Sequence, residues 1–87
     1  MFKLYSNPLY NVNMILPNIT KIFPQRLREL RTQNGLTQRQ VAEFLGIRQQ
    51  SYTRYEYGTS QPNLESLAML AKFYSVSCDY MIGLDDY

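Results

Sequence analysis

The 87-residue chain has no histidine and no tryptophan, and its only cysteine is Cys78. Without histidine, the commonest general base at neutral pH is missing, and no base accompanies the Cys78 thiol. One cysteine also excludes an internal disulfide framework and fits a reducing compartment. No apolar run approaches the roughly 18 residues of a membrane span, and the N-terminus lacks the apolar core of a signal peptide. We therefore expect a cytoplasmic protein that does not enter a membrane.

Glycine and acidic residues are also few. The four glycines are scattered along the sequence, so there is no glycine-rich loop to hold a phosphate. Three aspartates near the C-terminus, Asp79, Asp85 and Asp86, are too few and too local for a metal site. They are better explained as a frayed acidic end. The sequence predicts no enzymatic activity, no metal and no cofactor.

The net charge of +2 is unevenly distributed. Residues 20–55 carry seven basic and two acidic side chains, a balance of +5, whereas residues 56–87 carry one basic and five acidic side chains, a balance of −4. Such an asymmetry favours one surface that faces a polyanion and a different opposite surface. An ordinary solvated surface is the alternative.

Residues 1–20 form an N-terminal arm in this interpretation. Apolar residues recur there with period two, which predicts two short strands around the turn Ser6-Asn7-Pro8. A lone hairpin is marginal in water, so it would need to dock on the helices or on a second chain. Disorder is the alternative, and Met1 and Met14 are both candidate starts.

Helical periodicity begins at residue 21. Phe23, Leu27 and Leu30 recur at helical spacing, with Pro24 expected in the first turn and Asn34-Gly35 as the stop. The next helix has the strongest local start signal, because Thr37 and Gln40 have the spacing of a capping box. Leu36 and Val41 occupy the hydrophobic staple positions around this box, and Gly46 is expected to end the helix in a left-handed cap.

Three further helices follow. One spans Gln49–Tyr57 and ends at Gly58; a second is capped by Asn63; a short third begins after Ser77 and stops at Gly83. The second has a broad predicted apolar face, made of Leu64, Leu67, Ala68, Leu70, Ala71 and Tyr74. The fold class predicted is all-α, a five-helix bundle.

These elements carry a recognisable pattern. Leu36-Thr37-Gln38 opens the second helix, Gly46 lies in the turn, and Glu56-x-Gly58 ends the third helix, before "PNLESLAMLAKFYSVSCDYMIGL". Residues 23–84 thereby resemble the helix-turn-helix domain of the lambdoid phage repressor and Cro family, also called the XRE family. The resemblance implies a lambda-repressor-like bundle over residues 21–87 that binds double-stranded DNA.

In a domain of this kind the helix Gln49–Tyr57 lies in the major groove, with its N-terminal end towards the bases. Its inward face is expected to be Tyr52 and Tyr55. Glutamine amides can donate to and accept from the adenine edge, and arginine can fork onto guanine or hold a phosphate. The expected base contacts are Gln49, Gln50, Ser51 and Arg54. Ser51 has a second interpretation, as a small packing residue.

Contacts to the DNA backbone are expected from the helix starts and from the loop after Gly58. The resemblance assigns Gln38 this role, and the free N–H groups beside it favour an anion. Arg48 departs from the family, in which a small hydroxyl residue usually caps the recognition helix; we interpret it as a DNA contact that costs about 1 kcal/mol of cap stability. A solvated arginine is the alternative. The backbone set is Thr37, Gln38, Arg39, Arg48, Thr53, Tyr57 and Thr59.

The resemblance also implies a structural ion pair between Arg31 and Glu56, which would orient the recognition helix. Tyr52 departs from the aliphatic residue usual at its position. We expect its ring to fill the core; the alternative is that its hydroxyl reaches the DNA backbone.

The function predicted is a sequence-specific transcriptional regulator, a repressor acting as a homodimer on a palindromic operator. Dimer contacts are expected from Tyr80, Met81 and Leu84, and from the N-terminal arm. The alternative is an antitoxin that binds a toxin protein and its own promoter. No ligand-sensing domain is evident, so no small-molecule effector is expected.

Overall fold

The computed structural model describes residues 16–86, and this part of the chain contains helices but no strand. The helices are α1 (Ile19–Gln33), α2 (Gln38–Leu45), α3 (Gln49–Tyr57), α4 (Leu64–Phe73) and α5 (Cys78–Ile82). The all-α prediction is confirmed. The strands predicted in the N-terminal arm lie almost wholly in residues 1–15, outside the described residues. Within residues 16–86, every helix is too short or too polar to cross a lipid bilayer.

The helix boundaries follow from local capping chemistry. Thr37 forms the predicted capping box: its Oγ1 accepts from the Gln40 N–H at 3.1 Å, and the Gln40 side chain accepts from the Thr37 N–H at 2.9 Å. Asn63 and Ser77 accept from backbone N–H groups in the first turns of α4 and α5 at 2.8 and 2.9 Å. Gly46 ends α2 in the left-handed region with φ of 71°, which glycine adopts without a steric penalty. These predicted caps are confirmed.

Helix α1 starts earlier than predicted, and this changes the position of Pro24. The helix begins at Ile19, so Pro24 lies in its second turn, not in the first. Proline has no N–H to donate to the carbonyl of Thr20, four residues back. The left-handed Gly58 packs at this place: a Cβ atom there would lie 3.3 Å from the Thr20 carbonyl oxygen and 3.3 Å from Pro24 Cγ.

The core is one buried cluster to which all five helices contribute. Its fully buried large side chains come one from each helix: Leu27, Val41, Tyr52, Leu70 and Met81. Phe23, Leu30, Ala42 and Ala71 complete the buried apolar cluster. Because every helix contributes to one cluster, the orientation of α3 is fixed by contacts on its inner side.

Two sequence expectations about apolar residues are wrong. The inner face of α4 is narrower than predicted: Leu64 is 84% exposed at the first position of the helix, and Ala68 is also exposed. Ala68 falls beside the stripe that Leu67, Leu70 and Ala71 form, because residues one apart on a helix point about 100° apart. Met81 was expected at a dimer interface, but it is fully buried in the core of its own chain.

Candidate nucleic-acid interface

Helix α3 presents a polar outer face on a rigid support. Gln49, Gln50, Arg54 and Tyr57 are exposed, and together with the half-buried Thr53 they line one shallow groove. The two adjacent glutamines occupy the first two positions of the helix, next to the turn that follows α2. Of the predicted base-contact set, three side chains are therefore free of the protein interior, while Ser51 is half-buried.

The inner face of α3 consists of aromatic residues and one carboxylate. Tyr52 is fully buried, and its ring meets that of the half-buried Tyr55 edge to face, with centroids 6.1 Å apart. The predicted inward orientation of both tyrosines is confirmed. The Tyr52 hydroxyl does not point towards a DNA surface, since it donates to Glu56 Oε2 at 2.5 Å.

The Glu56 carboxylate is buried and receives hydrogen bonds on both oxygens. Oε2 accepts from Arg31 Nε at 2.6 Å and from the Tyr52 hydroxyl, and Oε1 accepts from Arg31 Nη2 at 3.0 Å and from Gln38 Nε2 at 3.1 Å. Arg31 also donates from Nη1 to the carbonyl of Leu36 at 3.0 Å. The two residues that the resemblance pairs thus form a two-pronged ion pair that joins α1 to α3, while Gln38 joins α2 to α3.

This arrangement keeps Glu56 ionised. Burial alone would raise its pKa, but the hydrogen bonds from Arg31, Tyr52 and Gln38 outweigh burial and hold the pKa below its ordinary value. Burial, and then the hydrogen bond to Glu56, raises the pKa of Tyr52. Burial also raises the pKa of the nearby Tyr74 to about 12. At neutral pH the site therefore contains one anion, one cation and neutral tyrosines.

Gln38 has more protein contacts than a simple DNA contact requires. Its side chain is half-buried, donates to Glu56, and accepts from the Thr53 hydroxyl at 2.8 Å. The second hydrogen of the Gln38 NH₂ group points to neither Glu56 nor Thr53. From the sequence, Gln38 and Thr53 were predicted as two separate contacts to the DNA backbone. In the structure their side chains are hydrogen-bonded to each other.

Of the other expected backbone contacts, Thr37, Arg39 and Arg48 lie at the starts of α2 and α3, whereas Tyr57 and Thr59 lie at the end of α3. Thr37 and Thr59 are exposed, and Arg39 makes only a surface pair with Glu43 at 3.4 Å. Arg48 is exposed in extended conformation before α3, and its side chain makes no capping hydrogen bond. The first N–H groups of α3 therefore lack the side-chain acceptor that Thr37 supplies for α2.

Two of the seven basic residues between 20 and 55 have internal roles. Arg31 is in the ion pair, and Arg26 lies over the Tyr80 ring at 4.3 Å while donating to the carbonyls of Tyr80 and Asp85. Arg26 thereby joins α1 to α5 and to the residues that follow α5, and its positive charge lies there.

Sequence reasoning missed a basic group on α1. Lys21 and Arg28, with Gln25 between them, line a shallow concavity together with Tyr57 and Gly58 at the end of α3. Their spacing of four and three residues places them on one helix face, and this signal was available in the sequence.

Among residues 16–86 there is no group of three or more histidine, cysteine or acidic side chains placed to hold a metal ion.

Comparison with known proteins finds consistent similarity over the described helices. A family model described as "Helix-turn-helix" matches residues 27–81. The chain is 46% identical over 65 residues to YobD, an uncharacterized HTH-type transcriptional regulator of Bacillus subtilis, covering 75% of this chain and 58% of that one. It is 42% identical over 55 residues to the cryptic phage CTXphi transcriptional repressor RstR of Vibrio cholerae, covering 63% of this chain and 50% of that one.

A solved structure has the same fold. The crystal structure of a transcriptional regulator from Listeria innocua aligns with a TM-score of 0.68 at 31% identity, over 70% of this chain and 57% of that chain. The chain spans little more than half the length of the relatives it matches, between 50% and 58% for YobD and RstR.

Proposed function

Since this chain belongs to the helix-turn-helix family whose model matches residues 27–81, we propose that it binds double-stranded DNA sequence-specifically and regulates transcription. The observation that carries the proposal is the outer face of α3. Two side-chain amides, Gln49 and Gln50, stand exposed at the start of a helix whose opposite face is locked into the core by Tyr52 and Glu56. A rigid helix of this kind fits the major groove, with its N-terminal residues at the base edges.

The proposed base contacts are Gln49, Gln50 and Arg54, with Ser51 as a minor contributor. Glutamine pairs with the N6 and N7 atoms of adenine, and arginine pairs with the O6 and N7 atoms of guanine. Each contact is worth about 1–3 kcal/mol of discrimination against a wrong base.

The proposed phosphate contacts flank this face. Arg39 and Arg48 lie at the starts of α2 and α3, and Lys21 and Arg28 lie beside Tyr57 at the other end of α3. The second amide hydrogen of Gln38 supplies a further donor. The exposed hydroxyls of Thr37 and Thr59, which make only long hydrogen bonds to Gln40 Oε1 and to the Arg54 carbonyl at 3.3 and 3.5 Å, would donate to phosphate after rotation. Positive charge at both ends of α3 is what a helix laid between two phosphate strands requires.

The finer proposal is a repressor that acts as a homodimer on a palindromic operator. Two α3 helices about 34 Å apart would reach successive major grooves on one side of the duplex. The exposed Leu84, which follows α5, and the half-buried Tyr80 remain available for such an interface, whereas Met81 is not. A dimer bound over a promoter would exclude RNA polymerase, and the relative RstR is named as a repressor.

The test is a selection from random duplexes at two salt concentrations, followed by binding measurements on the enriched site. Gln49→Ala and Gln50→Ala should each lose about 1–3 kcal/mol on the cognate duplex and relax preference at one base pair. Gln33→Ala is the matched control, because Gln33 is an exposed glutamine in the last turn of α1, away from α3. If both α3 variants keep the wild-type preference, the assignment of α3 as the reading helix is wrong.

A selection that enriches no duplex, with a steep salt dependence, would reduce the proposal to non-specific binding. Sedimentation of the protein with a palindromic duplex distinguishes one bound chain from two, and Leu84→Glu should favour one. The antitoxin alternative predicts in addition a stable complex with the product of a neighbouring gene, measurable by co-expression and purification.

A further inference from the structure

A chain of hydrogen bonds runs from the buried ion pair to the outer face of α3, and each bond in it has a determined direction. It joins Arg31, Glu56, Gln38 and Thr53, with the last two bonds at 3.1 and 2.8 Å. Thr53, the outer end of this chain, lines the groove together with Gln49, Gln50, Arg54 and Tyr57. An inference from this chain rests on the proposed function, because it concerns how that groove reads DNA.

The direction is set at the buried end. An ionised carboxylate can only accept hydrogen bonds, and Glu56 accepts two from Arg31. The group of Gln38 that faces Glu56 must therefore be its NH₂ group. The amide oxygen of Gln38 is then turned the other way, towards Thr53, and an amide oxygen can only accept. The Thr53 hydroxyl must consequently donate its one proton to Gln38.

A hydroxyl whose proton is committed inwards offers only lone pairs to the groove. Phosphate oxygens and the carbonyl oxygens of guanine and thymine are themselves acceptors, so they do not pair with it. The amino groups on the major-groove edges of adenine (N6) and cytosine (N4) are donors and do pair with it. This chemistry disfavours the expected contact of Thr53 with the DNA backbone.

We infer that Thr53 is a specificity-determining residue, which selects a base with an exposed amino group, adenine or cytosine, because Gln38 fixes the direction of its hydroxyl. Gln38 then acts as a positioning residue for Thr53 in addition to any phosphate contact of its own. In this arrangement the buried ion pair sets the hydrogen-bonding character of one position on the reading surface.

The experiment starts from the operator found by selection. Selection with Thr53→Val identifies the base pair at which this variant differs from the wild type, and four duplexes then carry each of the four possible base pairs at that position. On the strand facing Thr53, the wild-type protein should prefer adenine or cytosine over guanine or thymine by about fivefold or more, a factor typical of one hydrogen bond. Thr53→Val keeps the side-chain shape and should lose this preference, whereas Thr53→Ser should keep it. If adenine is the preferred base, its replacement by purine, which lacks the N6 amino group, should weaken wild-type binding about fivefold and leave Thr53→Val unchanged.

Gln38→Met tests the role of Gln38 as the group that sets the direction. Without the amide, the Thr53 hydroxyl can rotate and donate, so the preference for amino-bearing bases at this position should fall to about twofold or less. The affinity for all four duplexes should also fall equally, because the phosphate contact of Gln38 is lost. The ratio of the affinities of one variant for two duplexes is unaffected by that common loss. Thermal melting checks that both variants are folded.

Three results overturn the inference. One is a wild-type preference for guanine or thymine at the Thr53 position; another is an equal loss on all duplexes in Thr53→Val, as a phosphate contact would give; the third is an unchanged preference in Gln38→Met. Each of these leaves sequence-specific binding intact. A selection that enriches no duplex at all would instead overturn the proposed function and this inference together.

Discussion

The guanidinium of Arg31 and the carboxylate of Glu56 meet edge to edge, with Nε–Oε2 at 2.6 Å and Nη2–Oε1 at 3.0 Å. The Glu56 side chain is 3% exposed and that of Arg31 is 15% exposed. Parallel hydrogen bonds of this kind fix orientation as well as distance, because the guanidinium is planar. The pair therefore holds α3 at a defined rotation against α1, which determines which α3 side chains face outwards.

Removal of one partner from this pair should be strongly destabilising. Glu56→Gln leaves the Arg31 charge partly buried without its counterion, and we expect a loss of about 3–5 kcal/mol in the free energy of unfolding. Urea unfolding followed by circular dichroism measures it. Glu43→Gln is the control, since the Arg39–Glu43 pair is exposed by 76% and 66% and should change stability by less than about 1 kcal/mol. Equal effects of the two substitutions would contradict a structural role for the Arg31–Glu56 pair.

Stability should also fall in acid because of Glu56. Its pKa is lower in the folded chain than its ordinary value of 4.5, so the unfolded state binds a proton more readily. This contribution is fully present above about pH 4.5 and is lost as the pH falls through the lower folded-state pKa. Unfolding free energies measured between pH 7 and pH 3 should decline below about pH 4.5, and more steeply in the wild type than in Glu56→Gln. Parallel curves for the two proteins would assign the acid sensitivity to other carboxylates.

The Tyr52 hydroxyl should stabilise the fold independently of its ring. Tyr52→Phe keeps the buried ring and removes one donor to the ionised Glu56, so we expect a loss of about 1.5–3 kcal/mol. Tyr55→Phe on the same helix is the matched control, because Tyr55 is only half-buried and its hydroxyl is not part of the Glu56 network. Chemical unfolding of both variants provides the comparison, and a Tyr52 effect no larger than that of Tyr55 would refute the role given to this hydrogen bond.

Arg48 should show opposite effects on stability and on DNA binding. Arg48→Ser supplies the missing acceptor at the start of α3, and we expect a gain of about 1 kcal/mol in unfolding free energy. The same substitution should weaken binding to every duplex alike and lower the slope of log affinity against log salt by about 0.9, the value of one lost phosphate contact. Lys72→Ser, a change of the same charge in the last turn of α4, is the control. An unchanged salt slope in Arg48→Ser would make Arg48 a solvated arginine.

Local signals accounted for most of the fold. The starts of α2, α4 and α5 were predictable because Thr37, Asn63 and Ser77 interact with N–H groups only three residues away. The start of α1 was missed although asparagine is a favoured N-cap residue. In the structure the Asn18 side chain accepts from the Thr20 hydroxyl and makes no capping hydrogen bond. The exposure of Leu64 was also missed. Helical periodicity predicts which face of α4 is apolar, but not whether other elements cover that face at the first turn of the helix.

The candidate site was predictable only in part, for a similar reason. The exposed amides of Gln49 and Gln50 follow from helical periodicity alone. The bonds of Gln38 to Glu56 and Thr53 join residues 18 and 15 positions apart, and no local pattern indicates them. The resemblance supplied the Arg31–Glu56 pair, but Tyr52 departs from the family pattern, and its hydroxyl turned out to complete that pair.

Gly58 lies close to Pro24 and the Thr20 carbonyl, and a substitution at this glycine would therefore affect DNA binding indirectly. A Cβ atom at position 58 would crowd the Thr20 carbonyl and Pro24, so α1 and the end of α3 would have to move apart by a few tenths of an ångström, and a φ of 79° is strained for residues other than glycine. Substitutions there should weaken operator recognition by shifting α3, although glycine has no side chain to touch a nucleotide. In a screen scored by repression, this junction would therefore look like part of the DNA footprint while lying outside it.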